Sequence, residues 1–550
     1  MMNNNFLKTK AEIFLKRCPE SGKIVGFRFD NKISKFWLPL LGLLAIIWFL
    51  VRVIPKPSRA TYPCQQVAAG MGIGFLSYLL IILGSFPIFK TIRKVSSLSM
   101  GRTFIVFCII LITTTIGISV SSVIRFQQNL SHIESANAPI GVAIGINPGR
   151  VVWMQDFDAA KWDEKNSSWW DDVNTDQNEV NKMFSNSIQS LTGAKTDLEA
   201  WKKLFSFHNQ KNGRKENGYK NGEKIAIKIN CNANTALETK WIDKGYSSPQ
   251  MIYALVTQLI EVAGVHGSDI VIADPSRYIS EIIYNKIRSN PSPEYKQITF
   301  EQKEAANLTG YKTALPDPAN KIYFIMPGGK TSFMLLPQCF TDATYLINLS
   351  VVRPHRVFGI TSAAKNLFGV VFDVDSAKFM PNKLHAFALW DYPTPNKMGE
   401  AHCHPVLLGH ETTNSKTFLY LSDGLYTGYN QTSAIKRWST MDNKWFSSIL
   451  MSQDPIALES VVLDFISSEP NLTNGNPSFN GNQENALHEC ALADNPPSGA
   501  RYDPENDGTG LKSLGVHEHW NNSTDKKYSR NLGSGKGIEL VAIKGNNAKN

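Results

Sequence analysis

The sequence predicts an α/β protein with three parts: three N-terminal transmembrane helices, a large extracytoplasmic domain with a mostly parallel sheet and helices on both faces, and a loop-rich C-terminal extension. Three observations carry that expectation. Apolar runs at 36–54, 67–89 and 103–124 are each about the length needed to cross a ~30 Å hydrocarbon layer. The excess of positive charge lies entirely in the first quarter. Residues 1–128 hold 16 lysines and arginines against 3 acids, a net of +13, which leaves −3 for the rest of a chain whose total is +10. Beyond the third run, short β-branched stretches alternate with amphipathic helical patterns, the signature of a parallel sheet covered on both sides.

The flanking cations orient the apolar runs. Eight lie between Lys8 and Lys35, whereas the segment after the first run has only Lys56 and Arg59, and the one after the second has Lys90, Arg93, Lys94 and Arg102. Cation-rich flanks stay cytoplasmic. This predicts a basic cytoplasmic tail over 1–35, three spans within 36–124, a linker over 125–140 and an extracytoplasmic α/β domain over 141–468. The stretch 469–550, rich in Asn, Gly, Pro and Asp, is expected to pack on that domain. The mildly acidic outer region gives no motive for nucleic-acid binding. Seven cysteines in 550 residues are too few for a disulfide scaffold.

Within the α/β region, Ile225–Ile229 reads as a buried strand. Ser248 then caps a helix with Pro249 at its first position and Gly264 at its end. Ile252, Leu255, Val256, Leu259, Ile260 and Ala263 recur as one apolar stripe. Asp269–Ala273 is the next strand, followed by a helix over Ser280–Ile287. Later strands are expected at Ile322–Met326, Tyr345–Leu349 and Phe418–Leu421, and Asp454-Pro455 opens the helix Ile456–Ile466.

Ligands bind at the carboxyl ends of strands in open parallel sheets, and the residues expected there are polar. Lys228 and Asn230 end the first strand, and Asp274, Ser276 and Arg277 follow the second. Asn348 ends a later one, before Arg353-Pro354-His355-Arg356. Thr361, Ser362, Lys365 and Asn366 stand in GITSAAKNLFG, and Asp423 follows Phe418–Leu421. A lysine in a strand buried on two sides is costly unless it is paired or faces a cleft. The set predicts a small anionic ligand, phosphate- or carboxylate-bearing. Lys228, Asn230, Arg353, Thr361, Asn366 and Asp423 would bind it, and His355, Lys365 and Asp274 are the candidate catalytic groups. GITSAAKN lacks the glycine and hydroxyl spacing of a phosphate loop, and there is no dinucleotide fingerprint.

Imidazoles offer a second chemistry. His402 and His404 flank Cys403, His517 and His519 flank Glu518, and His488-Glu489 adds a further pair. Imidazole with carboxylate suits a divalent metal. Hence His402, His404, His517 and His519 are candidate ligands, and a metal-dependent hydrolase is the alternative function. A non-enzymatic envelope or assembly component is the third reading. No calcium loop is expected at Asp503–Gly508, because Leu514 stands where the bidentate acid belongs. Cys231 and Cys403 are a possible pair in an oxidising compartment.

The segments GEKIAIKIN, SPQMIYALVTQLIEVAG, DIVIADPS, ATYLINLSVVRPHRVFGITSAAKNLFG and SQDPIALESVVLDF, in order from Gly222 to Phe465, resemble the family catalogued as domain of unknown function 362. The most specific parts are the Lys365–Gly369 box and the Asp454-Pro455 helix start. The apolar runs and GVAIGINPGRVVWMQDFDAAKW resemble membrane-anchored Bacteroidetes members, which implies attachment to a bacterial inner membrane with the main domain periplasmic. The family has no settled activity, and some relatives carry ferredoxin modules. The cysteines here never reach a CxxC spacing, so no local iron–sulfur motif exists.

Overall fold

The computed structural model describes residues 135–545, apart from 216, 233–243, 326–330, 356–357, 374–383, 385–400, 431 and 474–481, together with 15–17, 24–27 and 48. The chain divides into two compact units, Met1–His132 and Ile133–Asn550. In the first, Leu15–Arg17 pairs antiparallel with Ile24–Phe27.

The expectation of three transmembrane helices is corrected. Among the described residues no helix is long and apolar enough to cross a membrane, so integral attachment through three spans is not supported. The apolar runs themselves lie outside the described residues, Trp48 apart. Run length and hydropathy do not by themselves separate a span from an apolar segment buried in protein. What the structure supports is an α/β chain built on a large mixed sheet.

That sheet belongs to the second unit. Its strands are β1 (Arg150–Gln155), β2 (Ile225–Lys228), β3 (Ile270–Asp274), β4 (Thr299–Gln302), β5 (Tyr311–Thr313), β6 (Tyr345–Val351), β7 (Thr417–Gly424), β8 (Ser448–Ser452) and β9 (Glu539–Lys544). Their order across the sheet is β9-β1-β8-β7-β6-β2-β3-β4-β5. Neighbours run parallel except β8, which is antiparallel to both β7 and β1. The C-terminal stretch supplies β9 at the sheet edge, which sequence reading placed among loops.

The helices used below are α1 (Gln177–Thr192), α2 (Asp197–Lys211), α3 (Pro249–Thr257), α4 (Glu281–Arg288), α5 (Ala363–Asn366), α6 (Cys403–Gly409), α7 (Pro455–Ser467) and α8 (Asn482–Ala491). The two-residue period of β2 sends Ile225 and Ile227 into one apolar layer and Ala226 into the other. Met251 and Leu255 of α3 pack in the first layer. Ala363 of α5, Val406 of α6 and Val461 of α7 pack in the second. The chain therefore covers one face after β2 and the opposite face after β6.

Local signals explain the helix ends. Ser248 Oγ accepts from the Met251 amide, and Pro249 opens α3. The α-helix gives way at Gln258–Val262 to a π-turn, and Gly264 follows with φ +72°. Asp454 Oδ1 accepts from the Ile456 and Ala457 amides, at 3.1 and 2.9 Å, to start α7. The strand expected at Ile322–Met326 is different: Pro316–Ile325 pairs antiparallel with Thr331–Pro337, apart from the main sheet. Pro327-Gly328-Gly329 stands between the two, a turn composition that favours a hairpin over a crossover.

Candidate functional site

Strands β2 to β5 run outward in chain order, and the chain then returns to lay β6 on the other side of β2. With helices leaving these two strands toward opposite faces, β2/β6 is a topological switch point, the position at which open α/β sheets generally bind ligands. The register pairs Lys228 with Asn348 at that point. Both are buried, at 2% exposure.

One polar network fills this rim. The Lys228 ammonium lies 3.4 Å from Asp274 Oδ1, donates to Asn366 Oδ1 at 3.3 Å and also donates to the Ile229 carbonyl. Asn366 donates to Asn348 Oδ1 at 2.8 Å, and its own Oδ1 accepts from Asn230 Nδ2 at 3.1 Å. Arg353 donates to Asn230 Oδ1 at 2.8 Å and to the Gly245 carbonyl at 2.7 Å. Asp274 accepts from the Cys231 amide and from Ser276 Oγ, and Arg277 reaches Asn232 Oδ1. Gly369 lies against this group: a Cβ there would meet Ser276 Oγ at 3.0 Å, and Asp274 Oδ1 and Lys228 Cε at 3.2 Å.

Lys365 completes the cationic set. It is half-buried, with Nζ 3.8 Å from the Phe368 ring centre and 5.4 Å from that of Phe358. Burial pushes its ammonium down to about 7, and Arg277, Arg353 and Lys228 add to the fall. Burial, with Arg277 beside it, likewise pulls Arg353 down to about 10. Only Lys228 among these four cations makes an ion pair with a described residue, Asp274.

The other candidates divide. Arg353 and Thr361 face each other in register across the Arg353–His355 and Gly359–Thr361 strand pair, so their side chains share a face. Arg353 Nε and Thr361 Oγ1 are buried without a hydrogen-bond partner. His355 is buried, and its Nδ1 accepts from the Phe358 amide at 3.2 Å, so the neutral ring carries its proton on Nε2. Asp423 faces inward, where its carboxylate accepts from Ser248 N and Oγ and from Leu425 N. Those bonds make it an anchor for the start of α3. Sequence reading missed Gly245 and Ser247, and singled out Gly369 only as the end of the Lys365–Gly369 box. Ser247 Oγ accepts from the Asn230 amide, which no local pattern announces.

Of the four candidate metal histidines, His402 and His404 cluster with Cys403, His517 clusters with Glu484 and His488, and His519 stands beside the second group, against Glu484. His402 caps α6 by accepting from the His404 amide, and the two rings meet Nδ1 to Nδ1. Cys403 Sγ is 3.9 Å from His404 Nδ1. Burial holds His402 neutral, down at about 3. The neighbours here are Phe358 and Phe368, the same rings that carry Lys365. A cation already occupies this surrounding, which disfavours a second one.

The other cluster lies where α7, α8 and the strand Val516–His517 meet. His517 and His519 are 3.5 and 3.3 Å from Glu484 Oε2 through Nε2. His519 Nδ1 is 2.6 Å from Asp464 Oδ1. Burial alone would lower His519, yet Asp464 and Glu484 lift it to about 11. Glu518 points away, accepting from Ser529 and from the Ile538 amide, as the two-residue period requires. The expected partner of His488, Glu489, instead accepts from Ser498 and Tyr502. Cys231, Cys339, Cys403 and Cys490 are free, buried thiols, so Cys231 and Cys403 do not pair.

Comparison with curated proteins gives no match. Among solved structures, the lactate racemase apoprotein from Thermoanaerobacterium thermosaccharolyticum aligns at 12% identity with a TM-score of 0.30. The alignment covers 60% of this chain and 62% of that one, so this chain spans about three fifths of that protein's length. Residues 225–464 match the family model described as domain of unknown function, DUF362. That interval holds β2, β6 and the whole Lys228–Asn366 network, and over it the chain is similar to the domain of unknown function 362 family.

Proposed function

We propose that this chain binds a small anionic molecule, bearing phosphate or carboxylate, in the crevice beyond β2 and β6. The observation that carries the reading is a charge imbalance. Lys228, Arg277, Arg353 and Lys365 lie within electrostatic reach of one another, and among the described residues only Asp274 ion-pairs with any of them. Arg353 is buried and Arg277 and Lys365 are half-buried; desolvated cations short of counter-charge are expensive, and an anion would supply it. Arg353 Nε and Thr361 Oγ1, both unpartnered and on one face, are a donor and a hydroxyl placed to grip it.

Lys365 is the residue suited to proton transfer. Near neutral pH it exists in both protonation states, which is the condition for an acid–base group at that pH. His355 is the second candidate, with Nε2 as its proton-bearing atom. Asp274 is engaged on both oxygens by Lys228, Cys231 and Ser276, so it positions Lys228 within the rim.

Isothermal titration of the full chain against inorganic phosphate and a panel of phosphorylated and carboxylated metabolites tests the reading. At least one anion should bind, and Lys365→Met and Arg353→Met should each weaken it by about 10-fold or more, as loss of a charge-assisted hydrogen bond implies. Equal affinity of both variants for every hit refutes it.

A further inference from the structure

The cluster at α7 and α8 has the construction of a metal centre. Three periodicities converge there. Glu484 and His488 are one turn apart on α8, Ser460 and Asp464 one turn apart on α7, and His517 and His519 two residues apart in extended chain. Ligating atoms of Glu484, His488 and His517 all lie within 4.8 Å of one another. His519 Nε2 is 3.3 Å from the same Glu484 oxygen.

Proton positions sharpen this. Ser460 donates its one hydroxyl proton to the Ile456 carbonyl at 2.7 Å, so its contact with His517 Nδ1 at 2.8 Å makes the ring nitrogen the donor. Asp464 is ringed by donors: Trp520 N at 3.0 Å, Tyr528 OH at 2.7 Å and His519 Nδ1 at 2.6 Å. A neutral His517 then turns its Nε2 lone pair toward Glu484 Oε2, and His519 Nε2 faces the same oxygen, where either a second proton or a metal ion must sit. Lone pairs that face one another at 3.3–3.5 Å need a cation between them. Ligand edges around a tetrahedral zinc with bonds of ~2.0–2.1 Å span roughly 3.3–3.4 Å.

We propose that Glu484, His488, His517 and His519 bind a zinc ion, with Ser460 and Asp464 as positioning residues that hold the two rings by Nδ1. This is the carboxylate–histidine arrangement that fixes ring orientation at metal sites. The donor set is three imidazoles and a carboxylate, without sulfur, which suits a borderline divalent ion. The site is separate from the anion crevice and stands or falls without it. A second proton on His519, shared between Asp464 and Glu484, is the competing occupant.

The full chain is loaded with zinc, dialysed and assayed by elemental analysis, then reloaded with cobalt(II) for absorption spectroscopy. About one equivalent of zinc should remain, and the cobalt form should show d–d bands of four-coordinate geometry without a thiolate charge-transfer band. Zinc should be lost in His517→Gln and Glu484→Gln and retained in His402→Gln. Asp464→Asn should weaken zinc by about 10–100-fold, the effect of losing an outer partner. Circular dichroism screens the variants for folding, and the spectrum of the unmutated chain decides the matter if they fail. Absence of retained zinc, a thiolate band pointing to Cys403, or zinc loss in His402→Gln alone overturns the proposal.

Discussion

Lys228 and Asn366, 138 residues apart, bond each other twice: the ammonium donates to the amide oxygen, and the amide nitrogen donates back to the Lys228 carbonyl, both at 3.3 Å. The reciprocal contact ties the end of β2 to the short helix α5 across the switch point. Asn366 also serves Asn230 and Asn348, so one amide sets the position of the groups assigned to the anion.

Asn366→Ala removes that hub. Asn230 Nδ2 and Asn348 Oδ1 lose their partner in a buried setting, and Lys228 keeps only Asp274 and a carbonyl. The cost should be about 2–4 kcal/mol, since each orphaned buried polar group costs ~1–3. Urea denaturation reads this as a lower midpoint at unchanged slope. A variant as stable as the parent would mean that water or relaxation replaces the amide without loss.

Gly369→Ala tests the same rim from its opposite side. The added methyl would press on Ser276, Asp274 and the Lys228 stem at 3.0–3.2 Å, with small room to give. Anion affinity should fall by about 10-fold for a displacement of Lys228, while stability drops by only ~1–2 kcal/mol, the usual cost of overpacking one carbon. Unchanged affinity together with unchanged stability would show that the ammonium does not depend on this contact.

Much of this was legible in the sequence, for identifiable reasons. A lysine in the apolar run Ile225–Ile229 marks a strand end, and Lys228 ends β2 in a polar network. Ser248, Pro249 and Asp454 cap helices as their side-chain chemistry dictates. The reversal of β8 was hidden, because hydrophobic strands carry no record of direction. β9 was hidden by its setting among polar residues, and the hairpin at Pro316–Pro337 because a short apolar run does not say what it pairs with. At the second cluster, His517 and His519 are visible as an alternating pair. Glu484 and His488 have the four-residue spacing that puts both on one helical face, a signal obscured by the adjacent His488-Glu489. The membrane spans illustrate the converse: apolar length is read easily, and nothing among the described residues supports them.

Lys365 predicts a proton signature for binding. Its ammonium sits at about 7 in the free protein because burial and neighbouring cations disfavour the charge. An anion beside it restores the charge and raises that value. Binding at pH 8 should therefore take up close to one proton, and affinity should decline as pH rises above about 7, whereas at pH 5.5 no uptake accompanies binding. Titration calorimetry in buffers of different ionisation enthalpy measures the proton count. Lys365→Met should abolish the difference between buffers, and an unaltered uptake in that variant would assign the proton to another group, with His355 the first to examine.

Glu459 predicts an inverted pH dependence of stability. Its carboxylate accepts from the Ala364 amide at 2.7 Å and so holds the start of α5, just before Lys365. Burial nonetheless raises it from its ordinary 4.5 to about 7. Because the folded value lies above the unfolded one, the neutral acid favours the fold. That stability is fully present below about pH 4.5 and is lost as pH rises through 7. Asp454, raised by burial to about 7 although four amides oppose the rise, acts in the same direction. Glu459→Gln keeps an acceptor for Ala364 and removes the ionisation. It should stabilise the protein at pH 8 by up to ~3 kcal/mol, since each tenfold change in proton affinity is worth ~1.4 kcal/mol, and by little at pH 5. The slope of stability against pH between 5 and 8 should flatten, leaving the Asp454 share. Glu459→Ala should be destabilised at both pH values, since the Ala364 amide then loses its acceptor. If Glu459→Gln and the parent lose stability in parallel from pH 5 to 8, the carboxyl is ionised throughout and its burial is met by charge elsewhere in the core.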